Sequence, residues 1–385
     1  MEGISIVAHF AFGSINGGHS GHFGGVERHT SFMARWLAAR GHQVSLLTWD
    51  EGQDDEVKID GVRVIKMCRS DAGLPGLRFF HPRWSSLNAA LKRADAALYY
   101  HNCAEYVTGQ VALWCRQNGR KFVYSSASDP ECDPALPDMP KVKDRLFYRY
   151  GIRHADRIIV QTNKQRHMLR QGFCLGAIVL PMPCAGATAD ECPAAAPPRG
   201  GSRRVLWVGR IAEVKRLEVL LDLAAALPDV TFEIAGKPDC ENAYSQAILA
   251  RARSLPNVIV HGSVPRDRMS ELYGRAALLC CTSAFEGFPN TFLEAWSYGV
   301  PVVSTIDPDD LIASRGLGMA APDKENLFKG IATLLNSPDL WRTQSHNARQ
   351  YYVENHAPDA AMLRFEQLFL RVMRGQSAVM DEVQA

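Results

Sequence analysis

Short apolar runs of strand length recur along the chain, and most are separated by segments whose apolar residues fall at helical spacing. Residues 4–10 (ISIVAHF) predict a buried strand. Residues 26–39, with Phe32, Met33, Trp36 and Leu37 near a helical repeat, predict a helix that stops at Arg40 and Gly41. Residues 43–48 predict the next strand, and the six glycines of residues 13–25 mark a loop between the first strand and the helix. Strand, glycine-rich turn, helix and strand make the opening unit of an α/β domain. Further strands are expected at residues 96–100, 121–125 and 158–161, with a helix over residues 106–118.

The pattern breaks at residues 186–204 (GATADECPAAAPPRGGSRR), where Ala, Pro and Gly dominate, and then restarts. Strands at residues 205–208, 231–234, 258–260 and 277–281 are expected among helices at residues 217–226 and 243–254. The closing helix, residues 358–374, carries Met362, Phe365, Leu368, Phe369 and Val372 along one side. That stripe needs a surface to cover it, so the helix is expected to cross back to the first half. At 385 residues the chain is longer than one core usually supports. The expected organisation is an N-terminal α/β domain over residues 1–185, a linker over 186–204, a second α/β domain over 205–357 and a helix over 358–376 packing on the first domain.

A net charge of +2 gives no support for a nucleic-acid partner. Ten cysteines are scattered without a CxxC pair, which fits reduced thiols. No apolar stretch reaches the roughly 18 residues of a membrane span, and Glu2 with the short run at residues 4–7 reads as a first strand and not a signal peptide. A cytoplasmic location is expected. No two glycines of residues 13–25 stand two apart, so the GxGxxG dinucleotide pattern is absent and a nicotinamide enzyme loses its support. His19 and His22 in that loop lack a third ligand and are read as facing solvent or substrate, not as a metal site.

Candidate chemistry concentrates in residues 281–304 (CTSAFEGFPNTFLEAWSYGVPVVS). Thr291 has Glu294 three residues on, the capping-box spacing, so a helix is expected to begin at Thr291 and to end at Gly299. Glu286 in the preceding loop and Glu294 in the first turn are then placed to approach one ligand. First-turn amides suit a diphosphate, and an ionised carboxylate suits two adjacent hydroxyls. An equally open reading makes Glu294 only the capping partner of Thr291 and Glu286 a solvated loop charge. The stretch VLWVGRIAEVKRLE adds Gly209 and Arg210 just after a strand and Lys215 five residues later, two cations suited to the same diphosphate.

In the first half, polar residues follow predicted strands: His101 and Asn102, then Ser126, Ser128 and Asp129. Open parallel sheets bind ligands at such carboxyl ends, so these are candidates for the acceptor or reaction site. Residues 141–157 space Arg145, Arg149, Arg153 and Arg157 four apart, a basic stripe if helical. It reads as a solvated face, the commoner case, or as a surface for anionic lipid. Residues 74–84 (LPGLRFFHPRW) are apolar and aromatic but too punctuated by Pro and Gly to define an element, and they read as an acceptor-side loop.

The segments GRIAEVKR, HGSVP and SAFEGFPNTFLEAWSYGVPVV, with GGVERHTSFMARWLAARGHQVSLLT at the front and ADRIIVQT in the middle, resemble the retaining nucleotide-sugar glycosyltransferases of family four. The resemblance implies the GT-B fold, two Rossmann-like parallel-sheet domains facing across a cleft. It implies that Arg210 and Lys215, beside Gly209, bind the donor diphosphate, that Glu294 binds the ribose and that Glu286 contacts the donor sugar. The backbone of Gly287, Phe288, Pro289, Asn290 and Thr291 would meet the sugar hydroxyls and phosphate, and Gly25 the phosphate from across the cleft. Gly262, Ser263 and Val264 would lie by the base.

The chain departs from the family in two places. Many members have a His-Asp pair where this chain has Ser128-Asp129, which leaves His101 as a substitute for the His contact. After Ser304 a glycine-rich stretch is replaced by IDPDD, whose Asp307 and Asp309 form a DxD. It is read as a turn, because the cations already neutralise a leaving diphosphate. The resemblance therefore implies metal-independent hexosyl transfer from a UDP or GDP type donor to a glycan, lipid-linked or small-molecule acceptor, in polysaccharide or glycoconjugate biosynthesis. Glu286, Arg210, Lys215, Asp129 and His101 are the catalytic candidates. The nucleotide-diphosphate sugar is a co-substrate and no cofactor is expected. Expected partners are donor and acceptor, with peripheral contact at the inner membrane face and no nucleic acid. A GT-B-like nucleotide-sugar epimerase and a catalytically silent partner that keeps the donor cleft are the alternatives.

Overall fold

A computed structural model describes residues 3–17, 24–187, 203–238, 240 and 242–376. The chain forms two compact units, one of Met1–Pro181 with Ala361–Ala385 and the other of Met182–Ala360. In the first, β1 (Ile4–Val7), β2 (Val44–Thr48), β3 (Glu56–Ile59), β4 (Val62–Lys66), β5 (Leu98–Asn102), β6 (Lys121–Ser125), β7 (Arg157–Val160) and β8 (Ile178–Val179) make one sheet. Its order among the described residues is β3-β4-β2-β1-β5-β6-β7-β8. Its pairings are parallel except for the β3–β4 hairpin. β1, β2 and β5 are buried along their whole length, which is why they read as near-continuous apolar runs. The sheet grows outward in both directions from β1 and β5, so the winding reverses between them.

Two helices of this unit, Tyr106–Gln117 and Val142–Arg153, cross at a pair of glycines. A Cβ on Gly109 would fall on the carbonyl group of Phe147, and one on Gly151 would stand 2.6 Å from the carbonyl carbon of Thr108. The backbones themselves touch, and any larger residue would part them. The closing helix, Pro358–Met373, belongs to this unit from Ala361 onward. It buries Met362, Phe365, Leu368, Phe369 and Val372, with the Phe369 ring 5.5 Å from Tyr100 and the Phe365 ring 5.8 Å from His29. Glu366 on the same helix accepts hydrogen bonds from Arg40 at 3.0 Å and His42 at 2.7 Å.

The second unit repeats the design with β9 (Arg204–Val208), β10 (Thr231–Ala235), β11 (Val258–Gly262), β12 (Leu278–Cys281), β13 (Val302–Ser304) and β14 (Gly318–Ala320). The order is β11-β10-β9-β12-β13-β14, all pairs parallel, and the winding reverses between β9 and β12.

Several elements differ from the sequence reading. The chain enters the second unit at Met182, ahead of the expected linker. There the Tyr352 hydroxyl donates to the Cys184 carbonyl at 2.7 Å, the Gly186 amide donates to that hydroxyl at 2.9 Å, and the Ala187 amide donates to Ser297 Oγ at 3.0 Å. Residues 188–202, most of that linker, lie outside the described residues, as do residues 18–23 with His19 and His22. The loop expected at residues 13–25 opens as a helical turn, Phe12–Ile15. His101 and Asn102 do not follow β5 but end it, and both are buried. The arginine stripe is cut short, because the helix stops at Arg153 and Arg157 lies in β7. Arg145 and Arg149 on that helix donate to the carbonyls of Met139 and Pro134. Residues 79–84 form a kinked segment and not an open loop, helical on either side of His81, whose backbone is extended at φ -135° and ψ 127°. Among the described residues no helix is long and apolar enough to cross a membrane.

Candidate active site

The carboxyl ends of β9 and β12 lie side by side at the reversal of the second sheet, where a crevice for ligand forms in folds of this kind. Trp207 Nε1 donates to Thr282 Oγ1 at 3.2 Å, and Thr282 donates in turn to the Lys215 carbonyl at 2.6 Å. The Ala284 amide donates to the Val214 carbonyl at 2.8 Å. Arg216, in the left-handed region at φ 47°, gives Nε to the Thr282 carbonyl at 2.7 Å and Nη2 to the Ser283 carbonyl at 3.1 Å. These bonds fix the short turn Glu213–Lys215 against the loop after β12.

The result is that Lys215 and Glu286, 71 positions apart, form an ion pair in which each side chain is 21 % exposed. Ser283 Oγ donates to the same carboxylate oxygen of Glu286 at 2.9 Å. Glu286 is therefore an anchored group, not a solvated loop charge. Arg210, on the same sheet edge, is exposed just after Gly209, whose amide donates to the Ala235 carbonyl at 3.1 Å.

Four residues beyond Glu286 begins the helix Asn290–Ser297, with Pro289 at its N-cap and no side-chain cap. Thr291 lies inside the helix and cannot cap it, so the capping-box reading of Glu294 fails. Glu294 instead accepts the Tyr273 hydroxyl at 2.8 Å, and Tyr273 is stacked on Tyr298 with centroids 5.6 Å apart. The helix buries Phe292, Leu293, Ala295 and Trp296 and leaves Asn290 exposed and Glu294 half-buried. The Phe288 ring packs inward, 5.4 Å from His356 and 6.2 Å from Trp296, while Gly287 stays half-buried. Gly262 closes β11 at φ +67° and its carbonyl accepts the Gly236 amide at 2.8 Å. Exposed Ser263 and half-buried Val264 follow, two strands from β9.

Asp310 stands at the N-cap of the helix Leu311–Arg315, and the two oxygens of Asp307 accept its first-turn amides, Ile312 at 2.7 Å and Ala313 at 3.0 Å. Asp309 and Asp310 follow in the left-handed region at φ 51° and 56°, so IDPDD is a turn. Among the described residues no three His, Cys, Asp or Glu side chains stand close enough to share a metal ion.

In the first unit the expected polar candidates are each committed to a different partner. His101 donates Nδ1–H to the Val7 carbonyl at 2.9 Å, and burial lowers its pKa, which keeps the ring neutral. Asp129 opens the short helix Asp129–Cys132 and accepts from Lys164 at 2.6 Å and Gln165 at 3.0 Å. Gly25 is the first residue of the helix Gly25–Ala39.

Two polar residues at the β1–β5 reversal escaped the sequence reading. His9, just past β1, stacks on Trp49 at 4.6 Å and bonds Glu105 Oε2 through Nδ1 at 3.1 Å. Burial alone would raise the Glu105 carboxyl, but the bond and charge of His9 outweigh it and hold it at about 2. The signal available was a lone histidine at a strand's carboxyl end. Glu131 was also missed. It is an acid whose pKa burial raises, and it accepts the Tyr124 hydroxyl at 2.7 Å and the Ala127 amide at 2.9 Å.

Two doubly wound units, one with a lysine, a paired glutamate and a helix amino end at its reversal, define an α/β architecture with its candidate site at that reversal. Residues 24–177 match the glycosyl transferase 4-like domain and residues 202–337 match the glycosyl transferases group 1 model. The chain belongs to the group 1 glycosyltransferases and has the GT-B fold, and by that membership it is a glycosyltransferase working with nucleotide-sugar donors. It is 22% identical over 357 residues to a phosphatidylinositol N-acetylglucosaminyltransferase protein of Arabidopsis thaliana, covering 84% of this chain and 74% of that one. It superposes on sucrose-phosphate synthase of Thermosynechococcus elongatus with a TM-score of 0.76 at 20% identity, covering 98% of this chain and 100% of that one. Anabaena HepE, solved with UDP and glucose, gives a TM-score of 0.72 at 16% identity, covering 96% and 100%. The two structural likenesses show the shared fold.

Proposed function

We propose that the protein is a retaining, metal-independent hexosyltransferase taking its sugar from a UDP or GDP type donor. The observation that carries this reading is the Lys215–Glu286 pair, anchored by Ser283 and standing four residues ahead of the helix that bears Glu294. A donor diphosphate takes Lys215 over from Glu286 and draws in Arg210 and the first-turn amides of Asn290–Ser297. These charges are worth most as the leaving diphosphate separates from the anomeric carbon, so they lower the barrier and not merely the ground state. Glu286, released from Lys215, turns to the donor sugar. Glu294, steadied by Tyr273, accepts the two ribose hydroxyls. Retention at the anomeric carbon is supported by the family resemblance.

The acceptor is a lipid-linked, glycan or small-molecule hydroxyl, and the work belongs to polysaccharide or glycoconjugate synthesis on the cytoplasmic side of a membrane. The Arabidopsis relative, named for phosphatidylinositol, supports a lipid-borne acceptor, and the UDP and glucose in the HepE structure support a UDP donor. His101, whose pKa burial lowers, and Gly25 are kept as candidates within the first unit. Asp129, already paired with Lys164, acts as a positioning group.

The experiment is a panel of UDP and GDP sugars assayed for donor hydrolysis and transfer with the wild type, Glu286→Ala, Arg210→Ala and Lys215→Ala. A charge-assisted contact is worth about 1.5–3 kcal/mol, so each cation removed should lower kcat/KM by about 10- to 150-fold with little change in Tm. Normal turnover in all three variants, or an epimerised nucleotide sugar as the product, would overturn the reading.

A further inference from the structure

Exposed large apolar side chains gather on one face of the first unit. Leu74, Leu77, Phe80, Val142 and Leu146 are 71, 63, 61, 70 and 62 % exposed, and the described structure elsewhere shows such residues only singly along the chain. They stand on two segments that the fold joins, residues 74–84 and the start of the helix Val142–Arg153. Beneath them Phe79 and Trp84 meet Phe147 at 5.4 and 5.3 Å, Phe79 meets Tyr106 at 5.3 Å, and Lys143 Nζ sits 3.9 Å above the Phe79 ring. Residues 74–84 and 141–149 together hold Arg78, Arg83, Lys141, Lys143, Arg145 and Arg149 against one carboxylate, Asp144.

We propose that this face seats the protein on an anionic phospholipid bilayer. Leu74, Leu77, Phe80, Val142 and Leu146 enter the boundary between headgroups and acyl chains, and the surrounding cations meet lipid phosphates. Charge selects this occupant. A second copy docked by the same face would set Arg78, Lys141 and Lys143 against like charges, whereas an anionic leaflet complements them. The aromatic layer underneath holds the five side chains outward, so a flat deformable surface suits them. The arginine stripe expected from the sequence is not the docking element, since Arg157 leaves the helix and Arg145 and Arg149 are tied to backbone carbonyls.

The face also adjoins chemistry. Tyr106, packed on Phe79, follows Glu105, which holds His9 at the β1–β5 reversal. A docked protein would therefore present that polar pair beside the bilayer. This deepens the reading of a lipid-borne acceptor and rests on it only for that last step. Docking itself is tested without turnover.

The test is cosedimentation of the full chain with vesicles of phosphatidylcholine containing phosphatidylglycerol, and with phosphatidylcholine alone, across a salt series. The variants are Leu77→Asp with Phe80→Asp, and Lys141→Glu with Lys143→Glu, all on exposed side chains. Binding is expected to the mixed vesicles and to weaken with salt, and each double variant should lower the partition coefficient about tenfold or more at unchanged Tm. Donor hydrolysis in solution should stay at the wild-type rate in both, so failed docking and failed catalysis read separately. The proposal is overturned by a wild type that ignores the mixed vesicles, or by binding that both variants leave intact. A dimer or a protein complex that Leu77→Asp with Phe80→Asp dissolves, without vesicle binding, would give the face to that partner instead.

Discussion

The Tyr273 hydroxyl donates to Glu294 at 2.8 Å, so the carboxylate on the helix Asn290–Ser297 is oriented by a residue of the helix Arg266–Arg275. Tyr273 is itself buried and stacked on Tyr298, which leaves its hydroxyl little freedom. Tyr273→Phe keeps the stack and removes one hydrogen bond to a charged acceptor, worth about 1.5–3 kcal/mol. The expected outcome is a donor KM raised about tenfold with kcat changed far less, measured by initial rates against donor concentration. A kcat loss at unchanged KM would place Glu294 on the reacting sugar and not on the nucleotide.

Metal independence has a structural motive in Asp307. Its two oxygens are spent on the amides of Ile312 and Ala313, and it is partly buried, with burial raising its pKa. Turnover should survive excess EDTA. Asp307→Ala should lower Tm by loss of these first-turn bonds, worth about 1 kcal/mol, and leave kcat near the wild-type value. Activity lost with chelator and restored by Mg²⁺ or Mn²⁺ would require a metal at the diphosphate.

Acid sensitivity should trace in part to His29. It lies buried beside Phe365 with no hydrogen-bond partner for either ring nitrogen among the described residues, and burial lowers its pKa from 6.5 to about 4. Below pH 6.5 the unfolded imidazole takes up a proton that the native one refuses until about pH 4. Stability is therefore lost as the pH falls through that window, by at most about 3 kcal/mol. Urea unfolding of the wild type and of His29→Phe at pH 7 and pH 4.5 checks this, and the variant should lose less between the two. Equal losses would mean that the carboxylates alone govern the acid limb.

The sequence revealed what depends on local pattern. β1, β9 and the helix Gly25–Ala39 were readable because strand runs and helical spacing are properties of neighbours along the chain. The β3–β4 hairpin was readable too and was passed over: Asp60-Gly61 between alternating apolar residues is a tight-turn signature, and both residues have positive φ, at 48° and 83°. The Thr291 to Glu294 spacing misled because three residues separate both a capping pair and two neighbours on one face inside a helix. Pro289 took the cap two residues earlier. His9 and Glu105, 96 positions apart, meet only because β1 and β5 are neighbours, and strand order is not written in local periodicity. The Lys215–Glu286 pair is of the same kind. Its two members stood out as chemistry, but their union depends on β9 lying beside β12.

The glycine crossing of Tyr106–Gln117 and Val142–Arg153 gives the first unit a built-in gauge. One of these helices starts beside Glu105, and the other carries Val142 and Leu146. With Gly109 and Gly151 in backbone contact, neither helix can slide or tilt without breaking that seat. The span from the apolar face to the His9–Glu105 pair is consequently a constant of the fold. Under the proposed lipid-borne acceptor, this fixed span sets how far above its anchor the accepting hydroxyl has to reach.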